Sequence, residues 1–204
     1  MKIRRKTNYL AGYLGLLIAG SLCLSSSGIP INLVQNGSFE SLSLSPWTQS
    51  GVGLWMGFGG AADGANFAGI DGYLYQDLVT TPGQTYDLRF AMAGNINWPG
   101  LITMDTLWGG SVVDVTTWNP AGHNMNNLGW IYSDVTLVAS SSLTRLEFLN
   151  PGQVNQGPFL DAVSVTAVPD GSFTLFLMMI SMAGIYVFRV VMMRNGLPPN
   201  ELRQ

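Results

Sequence analysis

The stretch YLYQDLVTTPGQTYDLRFAM, residues 73–92, contains two alternating segments on either side of a turn. Residues 73–79 and 86–93 place every second side chain on the same face, which is the periodicity of a β-strand. Between them, Pro82 fixes φ and Gly83 is free to adopt positive φ, as a tight turn requires. The stretch therefore predicts a β-hairpin.

The rest of the central region continues this pattern and has no long segment with helical periodicity. Further strands are predicted by the remaining alternating segments, residues 101–108, 111–115, 129–138, 143–149 and 159–167. About eight short strands separated by turn-rich connections favour two packed sheets. The predicted fold class is all-β, a jelly-roll β-sandwich of the galactose-binding-like type, with a closed barrel as the alternative.

The composition of residues 29–168 limits the functions of this single predicted domain. It contains two basic residues against ten acidic ones, a net charge of −8. Nucleic-acid binding is excluded, because its affinity rests on lysine and arginine. The region also contains no cysteine, so neither disulfides nor thiolate metal sites can stabilise it.

The N-terminus has the layout of a secretory signal peptide. Four basic residues within positions 2–6 precede an apolar run at 9–24, and small residues follow at 25–28. This order of basic, apolar and small residues predicts a signal peptide at 1–28 and a mature chain that begins near Ile29. The alternative is an N-terminal membrane helix that is retained.

The C-terminus combines a short motif with a second apolar run. Residues 173–188 carry no charge, and the run continues to 193 beyond the single Arg189. About 21 residues at ~1.5 Å rise could cross a hydrocarbon core of ~30 Å. We therefore predict a transmembrane helix within 169–194, followed by a polar tail at 195–204; a buried core helix is the alternative.

The order of these C-terminal parts resembles the VPD-type PEP-CTERM sorting signals of bacterial exported proteins. The motif consists of Val168, Pro169, Asp170, Gly171 and Ser172, and the apolar helix and arginines follow it. The resemblance implies recognition by an exosortase-type transpeptidase, removal of the tail and delivery to the cell surface or extracellular matrix.

A second resemblance covers most of the predicted domain. The blocks NLVQNGSFE at 32–40, YQDL at 75–78, PGQTYDL at 82–88, LNPG at 149–152 and GPFLDAVSV at 157–165 resemble the choice-of-anchor C family. The family is the bacterial counterpart of plant cell-wall proteins with galactose-binding-like jelly-roll domains. The resemblance implies a surface domain that contacts polysaccharide. Residues 95–128 differ most from the family and are expected to set ligand preference.

Catalytic arrangements are scarce in this sequence. His123 is the only histidine, so neither a Ser-His-Asp triad nor a histidine metal cluster can be assembled, and we interpret it as a solvated loop residue. The glycine-rich run 51–64 lacks the lysine of a phosphate-binding loop and is interpreted as a twisted β-loop. Two-carboxylate glycoside hydrolysis stays open, since ten acids are present. The sequence predicts a protein that is not an enzyme.

A structural Ca²⁺ is implied by the resemblance to jelly-roll carbohydrate-binding modules. Its expected ligands are Glu40, after the opening strand, and Asp161, at the start of the last one. Hard carboxylate oxygens suit this cation. The alternative is that Glu40 is a solvated acid and Asp161 is a turn cap.

Sugar binding needs aromatic faces for C–H groups and polar side chains for hydroxyls. Three tryptophans lie at turns, where a large side chain can stay exposed. With nearby polar residues they form the predicted ligand surface of Trp98, Trp108, Trp118, Asn95, Asn97 and Asp105. For each of these three tryptophans the alternative is a packing role. We assign a packing role to two others, Trp47 and Trp130.

Together these features predict an exported, non-catalytic domain that binds polysaccharide or an exopolysaccharide matrix and is anchored to the membrane, cell surface or matrix of a bacterium. The main alternative is a structural or adhesion protein of the extracellular matrix without glycan specificity. A glycosidase is the third hypothesis.

Overall fold

The computed structural model describes residues 31–57, 60–152, 155, 157–169 and 171–194. Within the last range it describes the side chains of 179–191. The unit Ile29–Pro169 is compact and separate from the C-terminal helix. The predicted signal peptide at 1–28, Asp170 of the sorting motif and the polar tail at 195–204 lie outside the described residues.

Among its described residues, the compact unit contains eight strands. They are β1 (Thr48–Met56), β2 (Asn66–Val79), β3 (Thr85–Gly94), β4 (Ile102–Trp108), β5 (Ser111–Trp118), β6 (Ile131–Val138), β7 (Leu143–Leu149) and β8 (Pro158–Ala167). The predicted β7 has the observed bounds, while β2 begins seven residues before the predicted segment.

The strands follow the order β5-β4-β7-β2-β8-β3-β6, with β1 beside β2, and all neighbouring strands are antiparallel. Residues 73–79 of β2 pair with β7, whereas Ala68 and Gly69 pair with β8. The long β2 therefore belongs to two halves of the sheet, β5-β4-β7-β2 and β2-β8-β3-β6. These halves pack face to face as a sandwich.

Aromatic contacts join the two halves across the core. Phe90 of β3 meets Phe148 of β7 with ring centroids 5.2 Å apart, and Tyr86 of β3 meets Trp108 of β4 at 6.0 Å. Burial alternates along the strands, most regularly on β4, where every second residue is buried. The alternation recognised in the sequence thus corresponds to inner and outer faces of the sandwich.

The predicted hairpin between residues 73–79 and 86–93 is wrong. The turn exists, with Gly83 at φ 82° and Gln84 donating to the carbonyl of Thr81 at 3.0 Å. However, β2 and β3 do not pair, because β1, β7 and β8 occupy the edges of β2 and the chain crosses to the other half. A two-residue hairpin instead joins β4 to β5 through Gly109 and Gly110, both at positive φ.

The glycine-rich run 51–64 is a β-strand over its first part, so its interpretation as a loop is wrong for those residues. β1 pairs with β2 from Thr48 to Met56, with a register shift between Ser50 and Val52. Gly51, at φ 65°, lies in that irregularity. A Cβ at Gly72 would stand 2.3 Å from the carbonyl oxygen of Ser50, so the close backbone approach requires glycine there.

A second aromatic cluster covers the outer face of the half that contains β8. Phe67 and Phe159 meet at 4.9 Å, and Phe67 also contacts Trp55 at 6.0 Å and Trp130 at 5.6 Å. Phe67 is fully buried. The segment 60–66, which we call the 60–66 loop, precedes it. The indole of Trp130, which contacts Phe67, donates to the carbonyl of Gly60 in this loop. This cluster holds the end of the sandwich that carries the candidate site.

The C-terminal helix α1 spans Gly171–Arg194. Among the residues described here, no helix has the length and apolar content needed to cross a bilayer. The side chains of 173–178 and 192–193 lie outside the described ones, so the predicted span stays a prediction. Val168, the first residue of the sorting motif, donates to the carbonyl of Thr85 at 2.9 Å and thus still belongs to the sandwich.

Candidate functional site

Two of the three predicted ligand tryptophans are core residues. Trp118 is 1% exposed, and its indole nitrogen donates to the carbonyl of Leu128 at 2.9 Å. Trp108 is 7% exposed and donates to the carbonyl of Val138 at 3.1 Å. In this structure neither ring has an open face for a sugar, because alternation along β4 and β5 turns both indoles inward. Trp47, assigned a packing role, is also buried.

The other predicted ligand residues divide between two places. Asn95 and Trp98 share a turn, in which the Trp98 amide donates to the Asn95 carbonyl at 3.0 Å. Asn97 is in the same turn, its amide donating to the Asn95 side chain at 3.0 Å. Asp105 is on β4, where its register partners are Val115 and Leu149. The structure therefore groups Asn95, Asn97 and Trp98 and places Asp105 on a separate strand.

Asn95 borders a recess that sequence reasoning did not identify. The recess has a volume of about 170 Å³ and is lined by residues of four chain segments: Gly53, Trp55, Gly69, Asp71, Asn95, Asn155, Gly157 and Phe159. Because β1, β2 and β8 are neighbours in the sheet, residues far apart in sequence meet on one face. We call the concave surface formed by these residues the recess.

Two glycines form the floor of the recess. Gly53 of β1 and Gly69 of β2 are register partners, so two adjacent strands both lack side chains at this level. A Cβ on Gly69 would stand 2.6 Å from Nε1 of Trp55, whereas a Cβ on Gly53 would meet nothing within 4 Å. Gly69 is thus required by packing, while Gly53 leaves open space above the backbone.

The wall of the recess is aromatic and its rim is polar. Trp55 is partly buried and packs on Phe67 and on Phe159, the latter at 5.2 Å, so its indole is held in place. On the rim, Oδ1 of Asp71 accepts from the amide of Asn155 at 2.9 Å, and the Asn95 backbone amide donates to the Gly157 carbonyl at 3.2 Å. These bonds fix the rim and leave side-chain lone pairs and N–H groups for a ligand.

A larger, shallower recess of about 330 Å³ lies elsewhere on the outer surface, lined by Arg89, Phe90, Tyr132, Ser133, Asp134 and Ala162. Its two charged side chains bind each other, with Nε of Arg89 2.9 Å from Oδ2 of Asp134. The charges are thereby already satisfied. This second recess lacks the glycine floor and the tryptophan wall of the first.

The two predicted calcium ligands meet at the 60–66 loop. Oδ2 of Asp161 accepts from the amides of Ala62 at 2.8 Å and Asp63 at 2.9 Å. Oε1 of Glu40 accepts from the amides of Ala65 and Asn66, both at 2.8 Å. Two carboxylates therefore bind successive amides of one loop, Asp161 as a buried side chain and Glu40 as an exposed one.

The hydrogen bonds of the two carboxylates determine how many of their lone pairs are left for a cation. The second oxygen of each carboxylate accepts one further bond, from the Ala162 amide to Oδ1 of Asp161 and from the Asn66 side chain to Oε2 of Glu40. One lone pair on each carboxylate is left for a hard cation. In the described part of the chain no three acidic, histidine or cysteine side chains form a metal cluster, so backbone carbonyls would have to complete a shell.

Burial raises the pKa of Asp161 to about 6, although three backbone N–H bonds act in the opposite direction. Between its ordinary pKa near 3.8 and about 6, the folded chain holds a proton that the unfolded chain has released. Below the lower pKa the protonated Asp161 contributes its full stabilisation of the folded state. This stabilisation is lost as pH rises through the upper pKa.

We therefore expect the unfolding free energy of the native chain, relative to that of Asp161→Asn, to fall by about 2 kcal/mol from pH 4 to pH 7. The asparagine variant does not titrate at this position, so the comparison removes the contribution of all other groups. Denaturant unfolding of both proteins across this range, in the presence of a chelator that keeps the site free of cations, is the measurement. A difference that stays constant with pH would contradict the expectation.

His123 lies in a loop, as expected, but it is only partly exposed. Its ring stacks on Trp118 with centroids 5.5 Å apart, and its Nδ1 is buried and finds no hydrogen-bond partner among the described residues. The space for this stacking exists because the ring passes over Gly129, where a Cβ would clash with it. The histidine therefore covers the buried end of Trp118.

Comparisons with solved structures show what this fold resembles. The xylan-binding CBM22-1 domain of Xyn10C from Paenibacillus barcinonensis superposes with a TM-score of 0.55 and 12% identity, covering 72% of this chain and 100% of that one. TmCBM61, solved in complex with β-1,4-galactotriose, gives a TM-score of 0.50 and 18% identity, covering 68% of this chain and 99% of that one. This chain shares the fold of carbohydrate-binding modules. The likeness confirms the predicted all-β jelly-roll sandwich.

No protein-family model matches the chain, and no curated protein matches it either. The resemblances to the choice-of-anchor C family and to PEP-CTERM signals thus rest on the quoted motifs alone. Both stay predictions.

Proposed function

We propose that residues 31–169 form a non-catalytic domain that binds neutral polysaccharide in the recess. The observation that carries this proposal is the recess itself, with a tryptophan wall, a glycine floor and a rim of Asp71, Asn95 and Asn155. A pyranose ring has C–H patches that pack on an aromatic side chain and hydroxyls that exchange hydrogen bonds with carboxylates and amides. The recess supplies both kinds of group within one small concave surface.

Known ligands of similar folds support the choice of glycan probes. Of the two similar structures, one is a xylan-binding domain and the other was solved in complex with β-1,4-galactotriose. Because their identity to this chain is low, the likeness is evidence for the fold and not for the sugar. We therefore propose polysaccharide as the ligand class and use xylan and β-1,4-galactan as first probes.

The absence of catalysis is part of the proposal. Two-carboxylate glycoside hydrolysis needs a pair of acids ~5 to 9.5 Å apart. Asp71 is the only acid among the residues that line the recess. A sugar held there would meet one carboxylate, which suits hydrogen bonding to hydroxyls.

The charge of the domain selects among polysaccharides. With a net charge of −8 over residues 29–168, and with Asp71 on the rim, the surface repels polymers rich in uronate, sulfate or phosphate. A neutral chain avoids this repulsion. We include neutral glycans alone in the proposed ligand class.

Retention of the purified chain on insoluble xylan and β-1,4-galactan tests the proposed function. We expect retention on at least one neutral polysaccharide and no release of reducing sugar from it. A chain that no neutral glycan retains would support instead a structural or adhesion role without glycan specificity. Release of reducing ends would show a glycosidase.

We also propose that the protein is exported and anchored. The support is the sequence: the signal-peptide layout of 1–28, the motif that begins at Val168 and the apolar run that follows it. The full chain is expected to fractionate with membranes unless an exosortase-type transpeptidase removes the tail. If the tail is removed, mass spectrometry should find a new C-terminus within 168–171. Full-length chain free in the cytoplasm would contradict both assignments.

A structural Ca²⁺ held by Glu40 and Asp161 is proposed on the free lone pair of each carboxylate. A cation that binds only the folded state at a hundredfold excess over Kd adds ~2.7 kcal/mol of stability. Chelation should therefore lower the melting temperature by several degrees, and Glu40→Gln should abolish this response. Identical melting in calcium and in chelator would leave the two carboxylates as clamps of backbone amides alone.

A further inference from the structure

The outer face of β4, β7 and β2 is on the opposite side of the sandwich from the recess. β2 pairs with β8 at 68–69 and with β7 at 73–79, so it changes halves between the two places. The outward positions on the three strands are Thr103, Asp105 and Leu107 of β4, Arg145, Glu147 and Leu149 of β7, and Tyr73, Tyr75 and Asp77 of β2. We call these nine residues the tyrosine face. A partner bound there does not compete with a ligand in the recess.

Strand register sets the relative positions of these residues. Leu149 is the register partner of both Tyr73 and Asp105. Glu147 is the register partner of Tyr75. Since strands are ~4.8 Å apart, Tyr73 and Asp105 are about 10 Å apart across the face. Asp105 and Glu147 are diagonal neighbours on adjacent strands, about 7–8 Å apart. The tyrosine face therefore has an aromatic side and an acidic side.

The aromatic side holds one guanidinium of this chain. The rings of Tyr73 and Tyr75 are 6.0 Å apart and inclined by 25°, and the guanidinium of Arg145 lies 3.6 Å from the centroid of the Tyr75 ring. Nε and Nη2 of Arg145 donate to the two carboxylate oxygens of Asp77 at 2.8 and 2.9 Å, which lowers the pKa of Asp77. The adjacent Tyr73 ring is 37% exposed, and none of the described cationic side chains lies over it.

The acidic side carries negative charge that no ion pair neutralises. The two ion pairs in the described part of the chain include neither Asp105 nor Glu147. Three carboxylates and one guanidinium give the tyrosine face a net charge of −2. None of its nine residues has a side-chain amide, whereas the rim of the recess has two. Lysine and arginine side chains, which only donate hydrogen bonds and carry positive charge, are therefore a better match for these acceptors than sugar hydroxyls are.

We propose that the tyrosine face binds an extended basic segment of a partner protein, with lysine or arginine at alternate positions. In an extended segment, side chains two residues apart point the same way and are about 7 Å apart, which matches the spacing of Asp105 and Glu147. A further cation packs on the ring of Tyr73, as Arg145 does on that of Tyr75. The net charge of −8 over residues 29–168 attracts such a segment to the domain. This interaction does not depend on glycan binding in the recess.

The test is calorimetric titration of the full chain with two synthetic peptides of equal composition, Arg-Ser-Arg-Ser-Arg-Ser and Arg-Arg-Arg-Ser-Ser-Ser, at about 0.15 M salt. Because only the alternating peptide places all its arginines on one side, we expect it to bind at least about threefold more tightly. Asp105→Asn combined with Glu147→Gln should weaken its binding about tenfold, and Tyr73→Ala about threefold. Tyr73→Phe keeps the ring and should bind as the native chain does.

Asp63→Asn combined with Asp87→Asn is the matched control, because it removes the same charge from the 60–66 loop and from β3. Charges are screened over ~8 Å at this salt concentration, so the control should change affinity by less than about twofold. Equal losses in the two double variants, or equal affinities for the two peptides, would show attraction to net charge alone and overturn the proposal. A native chain that binds neither peptide overturns it as well.

The same variants separate this interaction from glycan binding. Trp55→Ala should leave peptide binding unchanged, so a failure of the proposed glycan site does not affect this result. If Tyr73→Ala lowers retention on polysaccharide and leaves peptide binding unchanged, the tyrosine face is a second glycan site and the basic partner is overturned. Melting temperatures equal to the native one show that the variants are folded.

Discussion

Replacing Gly53 with valine is expected to abolish glycan binding without destabilising the domain. A Cβ at this position meets no atom within 4 Å, so the new side chain enters the open volume of the recess. Its backbone is outside the left-handed region, and a β-branched residue suits a strand interior. Removing glycine from a strand should even add about 0.5–1 kcal/mol of stability.

Binding and stability must be measured on the same protein for this test. We expect retention of Gly53→Val on the polysaccharide that the native chain binds to fall by at least tenfold, with an equal or higher melting temperature. Gly53→Ala, with a smaller side chain, should have an intermediate effect. Thr136→Val adds a β-branched apolar residue on exposed β6 and serves as the control. Native affinity in Gly53→Val would place the ligand outside the recess.

The largest effect on stability is expected from Trp118→Ala. Trp118 is 1% exposed, stacks with His123 and donates to the Leu128 carbonyl. Truncating a buried tryptophan costs about 3–5 kcal/mol through lost contacts and the cavity that remains. That is a large share of the ~5–15 kcal/mol that stabilises an ordinary domain.

This substitution separates the packing role from the ligand role that the sequence predicted for Trp118. Denaturant unfolding should show the loss, and Trp98→Ala, at a partly buried turn, should show a smaller one. If Trp118→Ala keeps its native stability and loses only glycan binding, the ring is a ligand residue after all and the packing described here is wrong.

The fold was predictable because alternation is a local signal. Inner and outer faces of β4 and β7 follow directly from the order of apolar and polar residues in 101–108 and 143–149. Strand pairing is not local, and the turn at Pro82 and Gly83 is equally compatible with a hairpin and with a crossover between sheets. No local pattern in the sequence indicates that β2 pairs with β1, β7 and β8. This pairing excludes the hairpin.

The candidate site was only partly predictable, since four separate segments build it. Asn95 was identified as a polar residue near Trp98 in sequence, and Glu40 and Asp161, predicted as ligands of one cation, accept from backbone amides of one loop. Trp108 and Trp118 were assigned to a surface because they precede turns, yet strand parity directs both into the core. The missed signal was Gly53 and Gly69, because a glycine inside a strand pattern often marks a close approach of another group.

The most direct test of the central claim is an NMR titration of the full chain with the neutral oligosaccharide that binds best. Because glycan is expected to bind in the recess, the indole N–H signal of Trp55 and the side-chain amide signals of Asn95 and Asn155 should shift on binding, while the indole signals of Trp108 and Trp118 should not. Signals of Trp55, Asn95 and Asn155 that stay in place while residues around Tyr132 shift would contradict it.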